Sequence, residues 1–523
     1  MLIFALSLSA VSAADNNTVS TDKVDVGTFT DLQIAINNAT NTLNLEKDYK
    51  NTEKNIGFTI DKNLEINGNG HTIDANGESG IFQISPDKTL TINNVTFKNS
   101  IETKDKFNPS NGAIYCQGNL NVNNCHFINN EAIFGRGSII YGEINSNINV
   151  INSTFTNNVA YNGGAIYSDS SVTVIGSTFT NTTAHNNGGV ILCGNSVTVT
   201  NSTFTNSQAE NGGVILGTDA IVTNSTFNNN KANNRGGAIL CICSVTATDS
   251  TFNNNTANNQ GGALFTKLGK VKVTKSTFNN NTANNQGGAL FTDKSSNIAV
   301  TDSTFNNNTA GEYGGAIHGG NCIITNSTFN NNTAGEYGGA IYGDYNCSVN
   351  VIGSNFNNDV SKYFGGAIFG RNDITVLSST FNNTTSNYGG AIFTTNTSIC
   401  TVTNSTFINT VAINGDGGAI NGNNVNVIDS SFTDTIAGCD GGAISGNNVP
   451  VSNSTFIRTT AKRYGGVIDS INNVTVINST FKNTTAKNGV VIFAKNHVVV
   501  KDSTLTDIEA NRSSLIRDLC GRW

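Results

Sequence analysis

The sequence predicts an all-β solenoid, a single-stranded parallel β-helix of about seventeen to nineteen coils with a helix capping its N-terminal end. Three observations predict it. The stretch Asn254 to Phe265 (NNTANNQGGALF) returns unchanged as Asn280 to Phe291, each copy preceded by Ser-Thr-Phe-Asn. A Phe recurs from Phe97 through Phe155, Phe252 and Phe356 to Phe481, most steps being 23 to 27 residues, and Leu505 fills the next slot. Between these anchors the apolar residues alternate with polar ones and show no helical period, so three short strands and three turns account for each interval.

Composition agrees with an array rather than with several globular domains. Charged residues make up only 12%, Pro is 3 and Gly is 54. Polarity therefore comes mainly from Asn, Ser and Thr. The net charge of −7 and the lack of any basic-aromatic cluster exclude nucleic acid as a partner.

The N-terminus reads as a secretory leader over residues 1–13: an apolar run Leu2 to Val11, then Val11-Ser12-Ala13 as a small-residue cleavage pattern. The basic residues usual before such a run are missing, so the leader is expected to be truncated. Residues 14–94 hold the cap and the first coils. Within them Phe29, Leu32 and Ile36 sit at helical spacing, with Thr28 or Thr30 as the cap. From Leu43 the pattern becomes alternation, with Ile56, Phe58, Ile60, Leu64, Ile66 and Ile73 among the apolar positions and Asn-Gly turns between. No later stretch is long and apolar enough for a membrane-spanning helix, so no span of its own is expected.

The array proper covers residues 95–505. In Val197-Thr198-Val199-Thr200 the Val side chains point inward and the Thr side chains outward. Asn runs after each Phe, such as Asn306-Asn307-Asn308, supply corners, because Asn tolerates left-handed backbone, and in register they can bond up and down the stack. Gly-Gly follows where backbones crowd. The Ile166, Ile215, Leu264, Ile317, Ile368, Ile444 column is assigned to the core. Residues 506–523 are either a C-terminal cap, with a possible short helix over Ser513 to Leu519, or a truncated repeat.

The pairing of Gly338-Gly339-Ala340-Ile341 with Ser-Thr-Phe329-Asn330-Asn331-Asn332 resembles the polymorphic outer membrane protein repeat, with its GGAI-like and FxxN-like motifs. The Asn- and Thr-rich style, with Phe29-Thr30-Asp31-Leu32 and Asn67-Gly68-Asn69-Gly70-His71-Thr72-Ile73-Asp74, is similar to adhesin-like surface proteins of methanogenic archaea. The resemblance implies a right-handed, pectate-lyase-like β-helix that is exported and displayed at the cell surface.

Candidate sites follow from the columns. Tyr167, Phe265, Phe291, Tyr342, Phe369 and Phe393 occupy the position after the core Ile, which alternation places outside, as an aromatic ligand-binding stripe. A bend in the strand would bury them instead. Asn152, Asn201, Asn224, Asn326, Asn404, Asn453 and Asn478 head N-x-Ser/Thr sequons and are glycosylation candidates, although Asn-Ser-Thr is also turn chemistry. Cys322 and Cys347 fall near matching points of neighbouring coils, within reach of a disulfide, as do Cys116 and Cys125 as a second pair; small buried thiols are the other reading. Glu312 and Glu336 share a slot in adjacent coils, about 5 Å apart if stacked, near the separation used by retaining glycosidases. No Cys/His set has metal-ligand spacing, and no cofactor is expected. The expected function is a secreted, non-enzymatic, adhesin-like surface protein contacting cell-wall, cell-surface or host glycans or proteins through its long face. A polysaccharide lyase or glycoside hydrolase on the same scaffold and a structural cell-wall component are the alternatives.

Overall fold

The computed structural model describes residues 25–102, 111–134, 138–293, 296–395, 398–508 and 514–518. The leader at residues 1–13 lies outside them.

The chain forms a parallel β-helix. Its strands fall into three sheets, of 20, 34 and 14 strands among the described residues, and every pairing is parallel between successive coils. The 20-stranded sheet takes one strand per coil, so nineteen steps separate its first and last strands. At about 4.8 Å per step the stack is about 90 Å long. The Phe anchors pair residue for residue, as in Phe278 with Phe305 and Phe305 with Phe329. Each is buried, and neighbouring rings stack at 4.7–4.9 Å through this stretch. The Ile column and the Val pairs of the second strand are buried beside them, giving one continuous apolar core along the axis.

One coil shows how the sequence makes its corners. Asn326 turns the chain at a φ of 48° and Asn331 turns it again at 55°. Between them Thr328–Asn330 is the strand, with Phe329 inward. Ser327 is buried; its Oγ accepts the Ser303 N–H and donates to the Thr325 carbonyl. This Ser column repeats from Ser153 to Ser479, so the Ser of Asn-Ser-Thr is an inter-coil fastener. Asn332 is buried as well: its Oδ1 accepts the N–H and Nδ2–H of Asn308, and its Nδ2 reaches the Phe305 carbonyl. Gly338 then adopts a φ of 63°, and a Cβ on Gly339 would meet the Gly366 carbonyl oxygen at 2.0 Å, so both positions require glycine.

The N-terminal helix is Phe29–Asn38. Thr28, not Thr30, caps it, in a capping box with Asp31. Phe29, Leu32 and Ile36 are buried, and the Phe29 ring sits 5.0 Å from Phe58, closing the end of the core. Ile56 departs from the expected inward alternation: it lies ahead of the strand Phe58–Ile60 and is exposed. At the other end the possible helix is overturned over Ile516–Asp518, which is a strand paired with Ile492–Ala494.

Candidate functional site

The aromatic stripe is on the outer side of its sheet, as alternation requires, but it is not a surface. Phe265, Phe291, Tyr342 and Phe369 are buried, while Tyr167 and Phe393 are half-buried. The reason is a second layer. The residue just before each Gly-Gly pairs with its counterparts in the run Tyr313, Tyr337, Phe364, Tyr388. The first three rings fold back over the column one coil further on: Tyr313 lies 5.0 Å from Tyr342, Tyr337 5.1 Å from Phe369 and Phe364 4.5 Å from Phe393. Cations complete the cover, with Arg235 5.2 Å over the Phe265 ring and Arg371 packed on Tyr345 and Tyr342. His318 is buried in the same column between Phe291 and Tyr342, its Nε2 3.8 Å from Asp344 Oδ2. The stripe thus stabilises the rod from outside the coil, and its exposure to a ligand is corrected.

Where the aromatic column is interrupted, before it resumes at Phe493 under Tyr464, carboxylates take its place. Asp416 and Asp440 occupy the covering slot and Asp469 the covered one. Burial, then the charges of Asp440 and Asp416, push the Asp469 carboxyl up to about 7. Burial and Asp440 raise Asp416. Arg463 grips Asp440 through two hydrogen bonds, of 2.6 and 3.1 Å, and so neutralises the middle of the set.

Glu312 and Glu336 do stack in adjacent coils, joined by the Glu336 N–H to the Glu312 carbonyl at 2.8 Å. Both are half-buried beside Tyr313, whose hydroxyl burial and the two carboxylates raise to about 12. Gln286 donates to Glu312 Oε2 at 3.4 Å. Among the described residues no group of three His, Cys, Asp or Glu is placed to hold a metal ion.

No disulfide joins Cys322 to Cys347. Cys322 is a free, buried thiol, raised to about 12 by burial and then by Cys347, and its strand partner is Val349. Cys347 precedes that strand by two residues, in the turn, so the columns do not meet. Cys116 and Cys125 are free and buried too. The seven sequon residues Asn152, Asn201, Asn224, Asn326, Asn404, Asn453 and Asn478 all stand exposed at left-handed corners with φ of 46–52°. Several bond to the coil before, as Asn224 to Asn201 at 2.8 Å and Asn478 to Asn453 at 2.9 Å.

A further concavity lies elsewhere. A groove of about 650 Å³ runs along the outer face of the Phe-bearing sheet from Thr205 to Asn358 and is lined, apart from Thr205, entirely by Asn. Two columns form it. In one, Asn279 donates to Asn253, Asn306 to Asn279 and Asn330 to Asn306, each at 2.8 Å. In the other, at the corner, Asn254 donates to Asn229 at 3.1 Å and Asn358 to Asn331 at 3.0 Å. The sequence signal for it was the unbroken Phe-Asn-Asn-Asn run, which reads equally well as turn chemistry.

Six segments of the chain, residues 152–169, 224–242, 249–267, 275–293, 302–320 and 326–344, match the family model described as the Chlamydia polymorphic membrane protein repeat. All six begin on the same corner column, and all end in or just past the strand that carries the core Ile or Leu. No curated protein matches the sequence. Among solved structures, the autotransporter UpaB from E. coli strain CFT073 is similar at 13% identity and a TM-score of 0.15, over 88% of this chain and 94% of that one, a likeness too slight to carry anything across.

Proposed function

We propose that this chain is an exported, adhesin-like rod that acts by contact at a cell surface rather than by turnover. The observation that carries this reading is how polar residues are used. Ser and Asn columns hold coil to coil, charges are few, and the outcome is a long outer face tiled with hydroxyls and carboxamides. Such a face suits extended recognition of a wall or cell-surface polymer and offers no arranged nucleophile, acid and base. The repeats matched by the polymorphic membrane protein model, and the leader read from residues 1–13, support a place outside the cell.

Labelled chain incubated with intact cells and isolated walls is expected to bind saturably, with competition by the unlabelled chain. Absence of saturable binding would favour a structural wall component. Turnover of a polysaccharide by the purified chain, abolished in Glu312→Gln or Glu336→Gln, would replace contact with catalysis.

A further inference from the structure

We infer that the Asn-lined groove is a binding site for a neutral, hydroxyl-rich polymer, a β-linked glycan chain lying along the rod axis. This rests on the contact reading above and names its ligand class. Four observations carry it. The groove spans seven strands of the Phe-bearing sheet, from Thr203–Thr205 to Asn355–Asn357. Six steps of about 4.8 Å make it about 29 Å long, room for an oligomer rather than a monomer. Its wall holds no charged and no aromatic residue. Asp249, Lys275 and Asp302 stand beyond its edge, in another corner column, alternating in sign. A polyanion such as a nucleic acid or a sulfated glycan therefore finds no counter-charge in the groove.

The hydrogen-bonding capacity is the third observation. A carboxamide has two N–H donors and two acceptor lone pairs. The ladder uses one donor and one acceptor of each Asn in its interior, as at Asn306, which donates to Asn279 and accepts from Asn330. One N–H and one lone pair per side chain remain on half-buried Asn279, Asn306 and Asn330, while at the exposed corner Asn280 and Asn307 make no ladder bond and keep the whole capacity of their carboxamides. Sugar hydroxyls, each both donor and acceptor, complement such an array. A β-linked hexose advances by close to one coil per ring, so successive rings meet equivalent carboxamides.

Lastly, a peptide cannot use the face by adding a strand. Every strand from Thr226–Asn228 to Thr328–Asn330 already pairs on both sides within the stack. Along Asn253, Asn279, Asn306 and Asn330 the ladder also holds the side chains in place before any ligand arrives, so little rotamer freedom is lost there on binding.

The test is titration of the purified chain with β-1,4-linked glucan and N-acetylglucosamine oligomers from dimer to hexamer, with heparin and polygalacturonate as anionic arms. Binding of a neutral oligomer is expected to tighten with length and to change little when salt rises. In the combined Asn279→Ile, Asn306→Ile, Asn330→Ile variant it should weaken about tenfold or more. The fold tolerates the change, because the same column already carries Ile128, Ile408 and Ile457. Should that variant aggregate, Thr at the three positions reads the same effect, since Thr156, Thr180 and Thr205 occupy the column too. No saturable binding of any neutral oligomer overturns the inference, as does binding that the variant leaves intact or a preference for the anionic arms. Wild-type chain and variant binding cells equally would sink the groove and spare the contact reading. Failure of the wild type to bind cells would sink the contact reading, with the oligomer titration still judging the groove.

Discussion

Asp359 is the residue at which the ladder logic becomes measurable. It occupies the buried slot held by Asn281, Asn308 and Asn332 in the coils before it, and it is fully buried. Its Oδ1 does what the Asn oxygens do, accepting the Asn332 N–H and Nδ2–H at 2.8 and 2.9 Å. Its Oδ2 stands where the others carry Nδ2, which in Asn308 and Asn332 donates to the preceding Phe carbonyl, and it has no partner. A protonated carboxyl can supply that donor; a carboxylate sets oxygen against oxygen. Burial outweighs the two donors from Asn332 and pushes the folded carboxyl from 3.8 up to about 7. The native state therefore holds its proton over a range in which the unfolded chain has lost it. The contribution is fully present below about pH 4 and lost as pH rises through about 7, by about 4 kcal/mol at most. Asp359→Asn is expected to leave stability nearly unchanged at pH 4, and to raise it by an amount that grows toward pH 8. Denaturation curves of both proteins across that range check it; a gain independent of pH would show that the carboxyl is not the cause.

At the scale of the column, the same slot changes character after Asp359. Thr384, Thr410, Thr435 and Thr459 follow, all buried, and their hydroxyls have no hydrogen-bond partner, whereas Thr484 in the last of these coils donates to the Val490 carbonyl at 3.2 Å. A buried hydroxyl without a partner costs about 1–3 kcal/mol against an apolar group of the same shape. Thr410→Val and Thr435→Val are each expected to stabilise by about 1 kcal/mol, and Thr484→Val to destabilise by a similar amount. Thermal unfolding of the three single variants decides it, and a loss at Thr410 or Thr435 would reveal a bonded hydroxyl. This column also marks where sequence reading stops. Phe305 and Ile317 announce their burial by period, and the coil length follows from them. Ser327 and Asn332 are as deeply buried as Phe305, yet polar residues read as surface, because burial here is licensed by a partner one coil away, about 25 residues off in the chain. The aromatic stripe failed for the same reason. Alternation places Tyr342 outside its strand, and only the return of Tyr313 from the neighbouring coil covers it.

For the whole molecule, uniform coils mean that length is a free parameter. Each coil contacts only its neighbours, so stability is a sum of near-equal steps between the Phe29–Asn38 cap and the far end. The corners set the register across any cut. Asn254 and Asn307 are the same corner two coils apart, with φ of 54° in both, and the strands that precede them are Thr251–Asn253 and Thr304–Asn306. Removal of residues 254–306 thus joins Asn253 to Asn307 with Phe252, Phe329 and the Asn columns still aligned. The shortened chain is expected to fold with the far-ultraviolet dichroism per residue of the parent, and to lose about 10 Å of maximum dimension in solution scattering. A cut of half that length, moving the chain by a single coil's worth of sequence, should behave likewise with about 5 Å lost. A cut that leaves a fraction of a coil should unfold the array beyond it, because Phe would then face Asn across the break. Collapse of the in-register deletion would mean that the coils are not interchangeable, and that one of those removed carries a contact the rest of the rod depends on.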